Sequence, residues 1–169
     1  MKRLAGLLII LALNACDENE AVKTDLTGNE TTYALVSGST YAISGTITFK
    51  EKKDGSTIVD VVLSGTEGEI KHPVHLHLGN ISTPDANVAA LLNPVTGSTG
   101  KSETVLTMLA DESSITYQQL LQLNACIKIH LSDSGTDKNI ILAGGNIGIA
   151  VSDDLSSGRV GGISSCKSE

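Results

Sequence analysis

From Tyr33 onward, apolar and polar residues alternate with a period of two in short runs, and clusters of Gly, Ser, Asp and Asn separate the runs. That pattern predicts an antiparallel all-β domain, because alternate side chains of a strand point to opposite faces. Tyr41, Ile43, Ile47 and Phe49 are assigned to one face, and Ala42, Ser44, Thr46 and Thr48 to the other. The step Asp54-Gly55 between Lys53 and Ser56 favours a tight hairpin into a run over 57–64 that is rich in β-branched residues. Further strands are expected over 70–78, 102–109, 125–132 and 139–151, the last broken at Gly144-Gly145 by a bulge or corner. At least seven strands with turns between them suggest a β-sandwich with Greek-key connections. One segment does not alternate: Ile115, Leu120, Leu121 and Leu123 follow Ser113 and Ser114, either of which can cap a single short helix over 115–123. The stretch 80–100 is irregular, with Pro84, Pro94 and Gly97, and its apolar residues 88–92 suggest a turn of helix.

The start of the chain has a different character. Residues 1–15 place Lys2 and Arg3 before an apolar run from Leu4 to Leu13, too short to span a bilayer but of the length of a secretory signal. Its end, Leu13-Asn14-Ala15-Cys16, resembles the bacterial lipobox, in which the cysteine becomes the acylated first residue of the mature chain. Cys16 is therefore the expected lipidation site, anchoring the protein to a membrane without a spanning helix. Residues 16–32 are polar and open with Asp17-Glu18-Asn19-Glu20, which reads as an acidic flexible tether, leaving 33–169 as the folded domain. These features imply a bacterial cell envelope protein, lipid-anchored at the outer membrane on its periplasmic or surface face. Loss of Lys2 and Arg3 with the signal takes the formal charge from -7 to -9.

That acidic balance, with three Tyr, one Phe and no Trp, argues against nucleic acid, which calls for basic patches or stacking platforms. A protein partner outside the cytoplasm is compatible with it. With Cys16 acylated, Cys126 and Cys166 remain as an even pair in an oxidising compartment. A disulfide between them would close a loop of about forty residues, with a stabilisation on the order of 3–4 kcal/mol in the chain-entropy view. No nucleophile elbow and no phosphate-cradling glycine loop is present.

The four histidines fall in two places. In the run 71–78, Val74, Leu76 and Leu78 take one face of a strand, so His75 and His77 share the other. In the run 127–131, Ile127, Ile129 and Leu131 face inward and His130 points the opposite way with Lys128. If these strands are neighbours, three imidazoles converge, an arrangement suited to Zn²⁺ or Cu²⁺. His72 is a candidate fourth ligand beside Pro73, and Asp133 and Asp137 are candidate helpers. The bland alternative is a set of half-exposed histidines packing across a sheet with no metal.

The segment Val74 to Gly79 is similar to the His-x-His segment of the CHRD (chordin-type) domain. The parts that follow keep that family's order: a Pro-containing loop over 80–86, an apolar stretch over 88–95, a Gly-containing turn over 96–100, a polar strand over 103–109, a Leu-rich helix over 115–123, and a strand with a lone histidine, His130. The likeness spans roughly residues 33–150. It implies an immunoglobulin-like or related β-sandwich in an extracytoplasmic setting, with a binding or scaffolding role. The missing catalytic set points to a module without catalytic activity, and the histidine pattern gives the alternative, metal binding through His75, His77 and His130 with His72 optional. A remoter resemblance is to copper/zinc superoxide dismutase, whose metal strand also carries His-x-His. That enzyme's bimetallic site takes six His and an Asp, which four histidines cannot supply, and a copper-only version calls for a further His between Leu78 and Ile129, where there is none.

Overall fold

The computed structural model describes residues 24–83 and 86–152. The expected signal segment, Cys16, most of the expected tether, and Cys166 lie outside the described residues. Eight strands form the domain: β1 (Leu26–Ser37), β2 (Ser44–Lys52), β3 (Thr57–Ser64), β4 (Lys71–Leu78), β5 (Val88–Thr96), β6 (Lys101–Leu106), β7 (Asn124–His130) and β8 (Ile141–Gly148). A short helix, α1 (Tyr117–Gln122), lies between β6 and β7, and a 3₁₀ turn (Thr136–Asn139) lies between β7 and β8.

The strands close into one antiparallel barrel in the order β1-β2-β3-β6-β5-β4-β7-β8. This corrects the expected immunoglobulin-like β-sandwich. The element that decides the matter is β1, whose sequence LTGNETTYALVS is too polar to announce itself as a strand. It pairs with β2 along most of its length and with β8 through Val36↔Gly144 and Ser37↔Ala143, so the sheet has no free edge there. The strand starts at Leu26, inside the stretch read as tether, because Thr31, Tyr33 and Leu35 alternate toward the interior. Tyr33 meets Phe49 edge-on at a ring separation of 5.8 Å, and Thr31 Oγ1 is 2.7 Å from the Tyr117 hydroxyl.

The interior is aliphatic. Ile47, Val59, Val61, Val74, Leu76, Ile127, Ile129, Leu142 and Ile147 are sealed from solvent around Phe49, as the period-two pattern requires. Tyr41, expected on the same face as Ile43 and Phe49, is instead exposed, since the chain turns at Thr40-Tyr41 and passes through a positive φ at Ala42 before β2 begins. The helix expected over 115–123 is shorter, and its N-cap is Thr116 rather than Ser113 or Ser114. Thr116 and Gln119 form a reciprocal capping box, a signal carried by the T-x-x-Q spacing. Tyr117 and Leu120 of α1 are buried in the core near Gly148 at the end of β8.

A second correction concerns residues 88–92, which form β5 and not a turn of helix. The β4–β5 register shifts twice, between His72 and Val74 and between Leu76 and His77. A bulge of this kind breaks the alternation, so Ala89 and Ala90 are both buried and the strand loses its period-two signature. Gly144 and Gly145 do not break β8, which runs continuously from Ile141 to Gly148.

Candidate metal centre

The outer face of the barrel, not its interior, carries three of the four histidines. Val74 and Leu76 of β4, and Ile127 and Ile129 of β7, turn into the core, which sends His75, His77, Lys128 and His130 outward. The two strands are direct neighbours, with His75 opposite Lys128 and His77 opposite Cys126. His130, two residues along from Lys128, lies diagonal to His75, and their ring centroids are 4.7 Å apart. His77 completes a triangle, 5.7 Å from His75 and 6.3 Å from His130 between centroids.

An outward face is ordinarily wet, yet His77 and His130 are only 2 % and 4 % exposed. Two loops cover them. The β4–β5 connection leaves β4 at Gly79, whose N–H bonds the Asn124 carbonyl, and buries Ile81 with its N–H donating to Asn146 Oδ1 at 2.6 Å. It returns past Ala86, whose carbonyl accepts from His77 Nδ1 at 2.7 Å. The second cover is the 3₁₀ turn, where the Lys138 carbonyl accepts from His130 Nδ1 at 2.7 Å.

Those two hydrogen bonds decide the chemistry of the rings. A carbonyl only accepts, so Nδ1 of each ring carries the proton, and in the neutral imidazole Nε2 is left with a lone pair. Both Nε2 atoms are buried, and neither has a hydrogen-bond partner. An unpartnered buried acceptor costs about 1–3 kcal/mol, so a pair of them side by side calls for an explanation. One ligand atom from each of His75, His77 and His130 lies within 4.8 Å of the others. Tetrahedral ligation at ~2.0–2.1 Å sets nitrogens ~3.3 Å apart, so closing onto one ion takes modest ring movements.

His72, the optional fourth ligand of the sequence reading, is not among the three clustered histidines. Strand alternation puts it on the side of Val74 and Leu76, and its Nδ1 donates to the Leu131 carbonyl at 3.1 Å. Asp133 lines the cleft in front of the three rings, whereas Asp137 belongs to the exposed part of the 3₁₀ turn. Cys126 is buried in β7 beside His77; the proposed pairing with Cys166 involves a residue outside the described ones. What the sequence could not show is the pair of orienting groups, because Ala86 and Lys138 act through backbone carbonyls, which no residue type signals.

The electrostatics favour neutral rings. Burial, then the neighbouring His130 and His77, pushes the His75 pKa down to about 4. His77 and His130 are also lowered, chiefly by burial and further by the Lys128 ammonium, against the opposing effect of their carbonyl hydrogen bonds. Below the ordinary histidine value of ~6.5 the unfolded chain therefore takes up protons that the folded metal-free chain refuses. Stability from these groups is complete above that pH and is lost as pH falls toward about 4. The urea midpoint of the metal-free protein should accordingly fall across this window, and less steeply in His75→Gln. Parallel profiles for the two proteins would contradict the assignment.

No protein-family model matches the chain, and no curated protein is significantly similar to it.

Proposed function

We propose that the protein binds a single Zn²⁺ or copper ion on the outside of its barrel, through Nε2 of His77, Nε2 of His130 and a ring nitrogen of His75. The observation that carries this reading is the pair of buried, unpartnered Nε2 atoms whose lone pairs are fixed in place by Nδ1–carbonyl bonds. Packing alone gives no reason to bury two acceptors side by side with nothing to accept from, whereas metal-ligating histidines characteristically donate their other ring N–H to a carbonyl or carboxylate. All-imidazole donor sets suit Zn and Cu, and strands hold the ring directions with little freedom to lose. Among the described residues, the three histidines form a cluster without a thiolate or carboxylate, so the site is mononuclear.

The lipid anchor expected at Cys16 would present this site outside the cytoplasm, in the CHRD-like binding role suggested by the order of the chain's parts. The reading fixes the tautomers, and ring ¹⁵N NMR tests them. Without metal, His77 and His130 should show a protonated Nδ1 and a bare Nε2; with Zn²⁺, the Nε2 resonances should shift while Nδ1 keeps its proton. Nε2 signals indifferent to stoichiometric Zn²⁺ would remove the proposal.

A further inference from the structure

We infer that the ion held by His75, His77 and His130 takes its fourth ligand from the cleft in front of them, and that this ligand is a small inorganic anion. The inference rests on the metal reading above and adds the class of ligand that the site accepts. Its first support is the donor count. Three imidazoles are neutral and fill three positions, and no carboxylate or thiolate among the described residues shares their cluster, so the ion keeps both its full charge and an open position.

The second support is direction. His77 and His130 are held from behind by the Ala86 and Lys138 carbonyls, and both rings are buried. His75 is only half-buried, and all three rings line the same open cleft, so the vacant position faces it. The third is size and polarity. The cleft measures about 190 Å³, well below the roughly 300–1,000 Å³ of sites that enclose drug-sized molecules, which leaves room for an anion of a few atoms. Its wall includes Ser132, Lys138 and Asn139, residue types with hydroxyl, ammonium and amide donors, against apolar Val88. The Lys128 ammonium, which opposes protonation of His77 and His130, adds to the positive field.

One resident competitor exists. Asp133 lines the cleft, is exposed, and could swing a carboxylate onto the ion in place of an external anion. The experiment uses Co²⁺ as a visible stand-in and azide as the probe. Co²⁺-loaded protein is expected to show a saturable change in its d–d absorption on titration with azide, with the metal still bound and with the same response in Asp133→Asn. A response confined to Asp133→Asn would mean that the aspartate closes the site, and silence in both proteins would mean that the position is not open; either result overturns the inference while leaving the metal site intact. Failure of the protein to take up Co²⁺, Zn²⁺ or copper at all would remove the metal reading itself, and this inference with it.

Discussion

The double variant His77→Ala/His130→Ala is expected to lose the thermal stabilisation that Zn²⁺ gives the parent protein. A ligand that binds only the folded state adds about 2.7 kcal/mol at a free concentration one hundred times its dissociation constant. For a domain of this size that is a rise of roughly 5–10 °C in melting temperature. Two of the three ligand nitrogens are gone in the variant, and the remaining ring, His75, has the least buried position and cannot hold an ion alone. The quantity to compare is the increment on adding metal, each protein against its own metal-free melting point. This matters because the substitutions also remove two Nδ1–carbonyl bonds of about 1 kcal/mol each and two orphaned acceptors whose cost has the opposite sign. An increment in the variant equal to that of the parent would show that the metal binds elsewhere.

A change of comparable size is expected at the barrel seam. Gly145 of β8 is aligned with Ile127 of β7, on the side of the strand that faces the interior. A Cβ at this position would stand 2.3 Å from the Ala34 carbonyl oxygen of β1, a contact that real structures do not contain. The neighbouring β1–β8 ladder is short, reaching only Val36↔Gly144 and Ser37↔Ala143, so β1 cannot give way without opening the seam. Gly145→Val should therefore destabilise the domain on the order of 3 kcal/mol, at the upper end of the range for overpacking, because the opposing atom is backbone and cannot turn aside. Urea unfolding measures it. A loss under about 1 kcal/mol would imply that β1 and β8 are not closely apposed, and would favour an open sandwich over a closed barrel.

These two sites show what the chain discloses about itself. The alternation in β2, β3, β4 and β7 is legible because each buries one face against the core, and Ile47, Phe49, Val59, Val61, Val74 and Ile127 mark that face. The same alternation sends His75, His77 and His130 to the outer side. Their convergence depends on the pairing of β4 with β7, and adjacency is a property of topology that leaves no mark on either strand. Closure was hidden for a related reason. β1 is stabilised by its neighbours on both sides more than by its own composition, so its polar sequence reads as linker. β5 was obscured by the bulges opposite β4, which put Ala89 and Ala90 inside together. His72 looked equivalent to the other histidines by type, and only strand parity and its bond to Leu131 separate it from them. The proposed metal site is the least legible feature of all, because it rests on a pair of backbone carbonyls that fix the tautomers of His77 and His130, and no residue type signals them.

Metal binding by the three histidines is tested most directly by an equilibrium titration of Zn²⁺ and of copper into chelator-stripped protein, with the double histidine variant alongside. One ion per chain is expected to bind with a dissociation constant tighter than ~10 μM, about -7 kcal/mol, and at least a hundredfold more weakly in His77→Ala/His130→Ala. Parent protein that binds neither metal more tightly than ~10 μM would contradict it, and the buried Nε2 atoms of His77 and His130 would then need another explanation.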